Sequence, residues 1–282
     1  MQWADSRKPR EMIRRALRDP KFQRSFHALK NIHPRSIYST FDSWAKRRKM
    51  TGYTRQALKQ QMNIRRADEF KHAVGMCTDW LVNHNLQRYA MIIEITQTTA
   101  KSSTWLAGPV ITGLQKLGVP GPAVIIPFVD GRYLSVKAVK EAIDAGIITF
   151  IHVDDAVYSG SQKGIMVRQL TSALRAANVK QARMLIAVPY TTDLGRRYVS
   201  RLVGRPLKLQ FYAPHTIRTR TLPWVSRVEL MMRGDKNIRS GGPAMTVLPH
   251  KMPNYVSFGP ASLSYALQAQ IPQPVYKKFS FA

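Results

Sequence analysis

The chain has 282 residues, 44% apolar and 9% aromatic, which excludes a disordered, collagen-like or low-complexity protein and leaves room for one large α/β domain or two modest ones. Forty-four Lys and Arg against sixteen Asp and Glu give a formal charge of +28, an excess that points to a polyanionic partner such as nucleic acid. Apolar runs fall well short of the ~20 residues of a membrane span, the opening MQWADSRKPREM lacks the apolar core of a secretory signal, and the single cysteine, Cys77, allows neither an internal disulfide nor a cysteine-based zinc site.

The charge is uneven: residues 1–75 carry a net +13, residues 76–190 only +4, and residues 191–282 +11. From Lys8 to Lys30 apolar positions (Ile13, Leu17, Phe22, Phe26, Leu29) recur at helical spacing, interrupted at Asp19-Pro20, and predict two short helices. The run Lys46, Arg47, Arg48 and Lys49 is a candidate contact for nucleic-acid phosphates, against the reading of a merely solvated face. Leu58, Met62, Phe70, Val74, Cys77 and Leu81 lie close to a 3.6-residue period and predict one longer helix with a core-facing stripe.

Beyond Asn83 the texture changes. Compact apolar runs at 89–95 (YAMIIEI), 123–128 (AVIIPF), 147–153 (IITFIHV), 184–188 (MLIAV) and 207–212 (LKLQFY) alternate with helix-spaced segments at 105–117, 136–145, 165–177 and 194–203. Apolar strands alternating with helices predict a Rossmann-like parallel sheet of about five strands, buried on both faces. No internal repeat is apparent. Residues 259–282, rich in Gln, Pro and Tyr and ending in KKFSFA, read as an extended C-terminal arm, a surface for a protein partner.

Ligands of open α/β sheets bind beyond the carboxyl ends of the strands. There, after the run 147–153, stand Asp154, Asp155, Ala156, Val157, Tyr158, Ser159, Gly160, Ser161 and Gln162, leading into a helix. The exposed N–H groups of a helix start favour a phosphate, Ser159 and Ser161 supply hydroxyl donors, and Gly160 permits close backbone approach. The two carboxylates stand where ribose hydroxyls or a hydrated Mg²⁺ would lie. The alternative is a structural acidic cap on a strand-to-helix connection.

This segment resembles the phosphoribosyl-pyrophosphate (PRPP) motif of type I phosphoribosyltransferases: an apolar strand, two acidic residues and a hydroxyl-glycine turn. The resemblance implies that Asp154 and Asp155 hold the ribose hydroxyls and Mg²⁺, that Ser159, Gly160, Ser161 and Gln162 hold the 5′-phosphate, and that the hydroxyl-rich loop 96–104 (TQTTAKSST), through Lys101, Ser102 and Ser103, holds pyrophosphate. An N-capping cluster is the other reading of that loop. Gln162 replaces the usual final hydroxyl residue, the loop lacks a glycine, and Tyr158 stands where purine-salvage members carry an acid. A phenol with an unperturbed pKa of ~10 is a poor general base. The form DDxxYSGxQ, with the later His250, Lys251, Met252, Pro253 and Asn254, is similar to a divergent phosphoribosyltransferase-like group found in large DNA viruses and microbial effectors.

The expected organisation is a basic helical N-terminal extension (1–85), an α/β domain of phosphoribosyltransferase type (86–258) and the extended arm (259–282). Two functions stay open: a protein that binds PRPP or a related sugar phosphate, with weak or lost transferase activity, and a non-catalytic basic or nucleic-acid-associated protein on the same scaffold. No catalytic residue is assigned. The seven histidines lack metal-ligand spacing, and His152, inside an apolar strand, reads as a satisfied core residue. The expected location is intracellular, in cytoplasm or nucleus, or inside a virion, with no membrane and no secretion.

Overall fold

The structure is a computed structural model that describes residues 3–202, 204–217, 222–233 and 245–249, together with 263, 266, 267, 269 and 271. Four helices open the chain: α1 (Lys8–Arg18), α2 (Pro20–His27), α3 (Pro34–Arg47) and α4 (Gly52–Lys59). Asp19 separates the first two because its carboxylate accepts from the N–H groups of Lys21 and Phe22, while Pro20 takes the first helical position. There follow β1 (Met62–Ile64), α5 (Ala67–Val82), β2 (Ala90–Ile95), α6 (Ser102–Lys116), β3 (Val124–Val129), β4 (Tyr133–Leu134) and α7 (Val136–Asp144). The alternation continues through β5 (Thr149–Val153), β6 (Ala156–Val157), α8 (Ser161–Ala176), β7 (Ala182–Ala187), β8 (Tyr190–Thr192) and α9 (Asp193–Ser200). Last come β9 (Leu207–Tyr212), β10 (His215–Ile217), α10 (Trp224–Met232) and β11 (Met245–Val247).

The contacts divide the chain into two compact units, one of residues 1–28, 72–216 and 274–282, the other of 29–71 and 217–273. The first contains a six-stranded sheet of order β4-β3-β2-β5-β7-β9. Every pairing among β3, β2, β5, β7 and β9 is parallel, as the apolar runs predict; β4 is a short antiparallel addition to β3. Asp130 and Gly131, both at positive φ, turn the chain between these two. Side chains alternate across the sheet. Ala90, Ile92, Phe128, Phe150 and Met184 share one buried cluster with Val139, Met166, Val167 and Leu170 of α7 and α8. Met91, Ile93, Ile151 and Leu185, equally buried, face the other way, where α6 packs on β2 and β5.

Beyond the carboxyl ends lies a second, three-stranded sheet of order β10-β8-β6. Each of its strands follows a strand of the main sheet after a two-residue link: Asp154-Asp155 after β5, Val188-Pro189 after β7, and Ala213-Pro214 after β9. That structural echo has no counterpart as a repeat in the sequence.

Three expectations are corrected. Helices α1 and α2 are not an extension: both pack on α6, where Trp105 Nε1 donates to Ser25 Oγ at 2.7 Å and meets the Phe26 ring edge-on at 5.4 Å between centroids. Asp5 accepts from Ser135 Oγ and from the Lys137 N–H, each at 2.9 Å, tying the N-terminal segment to the start of α7. The division at residue 85 is therefore not where the contacts divide. Second, the single helix expected through Leu58 and Leu81 is interrupted. Leu58 belongs to α4 and Met62 to β1, which pairs in parallel with β11, and only then does α5 begin.

Third, the arm is not wholly extended: Leu263, Leu267 and Ile271 are buried in the core of the second unit with Ile37, Phe41, Trp44, Leu58 and Val247. Apart from Ala266 and Ala269, the remainder of 259–282 lies outside the described residues, as does the run 250–254. Among the described residues, no helix is long and apolar enough to cross a membrane.

Deleting residues 1–28 tests the first correction. Met12, Ile13, Ala16, Phe22 and Phe26 are buried, and each large apolar side chain contributes about 1.5–3 kcal/mol, together enough to rival the ~5–15 kcal/mol stability of an ordinary domain. The truncated chain should lose its cooperative thermal transition; a dispensable arm would leave it intact.

Candidate functional site

Strand order places a crevice at β2 and β5. From β2 the chain crosses by α6 to β3 on one side, then by α7 to β5 on the other, so the order reverses between neighbouring strands. Such a reversal is where open α/β sheets bind ligands. Register sharpens the point: β2 pairs with β3 from Ala90 to Ile95, but with β5 only from Ala90 to Ile92. Past Ile92 and His152 the two strands pair no further, and the chain at their ends carries Glu94, Asp154 and Asp155.

The carboxylates there are buried: Asp154 is 7% and Asp155 1% exposed. Asp154 Oδ1 accepts from Ser102 Oγ at 2.7 Å and from the Asp155 N–H at 2.9 Å, while Oδ2 holds Lys163 Nζ at 2.6 Å. The Lys163 and Asp154 side chains are only 3% and 9% exposed. Asp154 thus joins the end of β5 to the first turns of α6 and α8, as the structural-cap reading requires. The unforeseen member is Lys163. A lysine in the first turn of a helix opposes the positive N-terminal end of the helix dipole, and that mismatch was the available signal for a nearby acid.

A second polar contact runs beside it. Gln162 Nε2 donates to Glu94 Oε1 at 2.8 Å, and Glu94 is buried at 4% exposure. Gln162 lies over the backbone of Gly131, where an added Cβ would come within 2.0 Å of Nε2. The lone acid in the apolar run YAMIIEI was the trace of this partner in the sequence.

The loop proposed for pyrophosphate turns most of its hydroxyls to the protein, with Thr98 exposed. Thr96 Oγ1 bonds Thr99 Oγ1 and accepts from the Thr99 N–H, both at 2.8 Å. Ser103 Oγ accepts from the Glu94 N–H at 2.8 Å and donates to the Glu94 carbonyl at 3.1 Å; Thr104 Oγ1 donates to the same carbonyl at 2.7 Å. Ser102, Ser103 and Thr104 are all buried, and Lys101, the residue before α6, stays half-buried outside this network.

The turn 158–162 is more open. Ser161 is exposed and Ser159 half-buried, with their hydroxyls 2.9 Å apart. Gly160 precedes α8 with φ +75°, and Ser159 Oγ accepts from the Ser161 N–H at the helix start at 3.4 Å. Its glycine identity has a structural cause as well: an added Cβ would lie 2.9 Å from Tyr198 Cδ1 of α9. Burial first, then the carboxylates of Asp155 and Asp154, hold the Tyr158 phenol well above its usual range, so it stays protonated. His152 is fully buried, with Nδ1 2.9 Å from the Ile92 carbonyl oxygen and Nε2 without a hydrogen-bond partner among the described residues. Burial, and next the Lys163 ammonium, lower its pKa to about 3.

The acidic pair does not fit the Mg²⁺ that the motif implies. Three donors already engage the Asp154 oxygens and take up most of the acceptor positions of that carboxylate.

The basic run belongs to the second unit, at the C-terminus of α3. Lys49 sits at φ +50°, and the Met50 N–H reaches the Ala45 carbonyl at 3.1 Å while the Lys49 N–H reaches that of Lys46 at 2.9 Å, a Schellman termination. Arg48 is turned to the fold, donating from Nη1 to the Arg233 carbonyl at 2.6 Å. Lys46, Arg47 and Lys49 are exposed.

No protein-family model matches the chain and no curated protein matches it.

Breaking one partner of a buried ion pair costs about 3–5 kcal/mol, because the other charge is left uncompensated. Asp154→Asn and Lys163→Met should each destabilise by that order in urea unfolding, and the double variant by clearly less than the sum. Were Asp154 reserved for a ligand, Asp154→Asn would leave stability nearly unchanged.

Proposed function

We propose that the chain is a phosphoribosyltransferase-like protein that binds a sugar phosphate beyond the carboxyl ends of β2 and β5, with the transfer reaction weak or lost. The observation that carries this reading is the coincidence of the β2/β5 reversal with the turn Ser159-Gly160-Ser161, whose hydroxyls stand at the start of α8. The N–H groups of the first helical turn and the two serine hydroxyls donate to phosphate oxygens, and the helix dipole favours the negative charge. The loss of transfer follows from the site's remaining groups. A nitrogen nucleophile needs a proton acceptor, and Tyr158 is held protonated.

Calorimetric titration of the full chain with ribose 5-phosphate and with PRPP tests the reading. Each lost hydrogen bond to a charged oxygen is worth about 1.5–3 kcal/mol, so Ser159→Ala/Ser161→Ala should weaken binding by about tenfold or more without altering the melting temperature. Equal binding by variant and wild type would remove the turn from the site. Rapid nucleotide synthesis from a free base would overturn the loss of transfer.

A second reading is favoured by the net charge of +28 and by exposed Lys46, Arg47 and Lys49: association with nucleic acid, as in a virion component that keeps the fold as a scaffold. Each phosphate neutralised on duplex DNA adds about −0.9 to the slope of log affinity against log salt. Replacing these three lysine and arginine side chains by glutamate should flatten that slope by about 3 units; an unchanged slope would assign the contacts elsewhere.

A further inference from the structure

We infer that Lys163 is the resident cation of the acidic pair, so that Asp154 and Asp155 hold no divalent metal and any anion taken up in the crevice enters without a metal bridge. For its functional meaning the inference rests on the sugar-phosphate reading.

Geometry carries it. Lys163 Nζ stands 2.6 Å from Asp154 Oδ2, and both side chains are almost completely buried. Ser102 Oγ and the Asp155 N–H occupy Oδ1 at 2.7 and 2.9 Å. An ionised carboxylate has about four acceptor positions, and three are taken by donors that the fold itself fixes: one from α6, one from the adjoining peptide and one from α8. Asp155 is 1% exposed. Magnesium asks for near-octahedral oxygen ligands at about 2.0–2.1 Å and usually keeps several waters. Admitting it here would require expelling an ammonium from a buried contact, or placing a divalent charge beside one.

The nearby loop points the same way. The hydroxyls of Thr96, Ser102, Ser103 and Thr104 on the opposite wall are turned to Thr99, Asp154 and Glu94, so that of the loop residues assigned to pyrophosphate only Lys101 stays outside the network. Lys163 therefore performs in the folded chain the neutralising role that a bound metal would perform on a bare acidic pair. Its presence selects a sugar monophosphate over a metal-complexed diphosphate.

Titration of the full chain with Mn²⁺ alone, followed by electron paramagnetic resonance with Mg²⁺ as competitor, tests the assignment. Wild type and Asp154→Asn/Asp155→Asn should take up metal equally little, whereas Lys163→Met, which removes the resident cation, should gain a Mn²⁺ site that Mg²⁺ displaces. Metal uptake by wild type that the double Asn variant lacks would overturn the inference, as would a folded Lys163→Met chain with no gain. If either variant does not fold, Mn²⁺ uptake by the wild type displaced by Mg²⁺ overturns the inference and its absence upholds it. In parallel, wild type should bind ribose 5-phosphate equally in EDTA and in Mg²⁺. Affinity about tenfold higher with Mg²⁺ would sink the inference and leave the sugar-phosphate reading standing; no binding in either buffer would sink that reading while the Mn²⁺ result still judged the metal.

Discussion

Where β2 and β5 stop pairing after Ile92 and His152, the sheet needs something other than backbone hydrogen bonds to hold its two halves together. The Asp154 carboxylate meets that need, gathering Ser102 from α6, Lys163 from α8 and the next peptide N–H around one group. Buried charges persist only when paired and hydrogen-bonded, so the position of each helix start depends on the others. Glu94 does similar work on the opposite strand. Its side chain receives Gln162, and its backbone receives Ser103 and Thr104. The carboxyl edge of the sheet is thus fastened by polar contacts among residues whose sequence pattern suggests ligand binding.

The five parallel strands were legible because burial on both faces removes polar alternation, leaving runs such as YAMIIEI and IITFIHV. The fate of α1 was not. Its apolar stripe of Pro9, Met12, Ile13 and Ala16 is narrow and set among basic residues, so charge masked a helix that belongs to the body of the first unit. Between α4 and α5 the spacing of Leu58 and Met62 continues a helical period by coincidence. The partner of β1 lies far along the chain at Met245–Val247, beyond the reach of local periodicity. Burial of Leu263, Leu267 and Ile271 was hidden by surrounding Gln and Pro for the same reason: tertiary neighbours decided it, not composition.

At the strand-to-helix turn, the sequence marked the acidic pair but not the commitments of its residues. An acidic pair after a buried strand reads identically whether it faces a ligand or a lysine. The distinction lay in Lys163, nine positions on, and Ser102, fifty-two positions back, which only the packing of α8 and α6 brings to Asp154. The basic run illustrates a related limit. Four adjacent cations look equivalent in sequence, yet helix termination directs Arg48 to the Arg233 carbonyl while its neighbours remain in solvent.

The short ladder between β2 and β5 also has a mechanical meaning. Three paired positions join these strands, against six on the β2/β3 side and five on the β5/β7 side. A sheet opens most readily along its least-bonded seam, since local unfolding follows the lines where the fewest interactions must break together. Among the parallel strands of the six-stranded sheet, β2 and β5 share the shortest ladder, and beyond its three pairs the seam is held by side-chain chemistry rather than backbone. Loss of charge balance around Asp154 would loosen that seam from its carboxyl end inward, and amide hydrogens near Ile92 and His152 would exchange before those of β3 or β7.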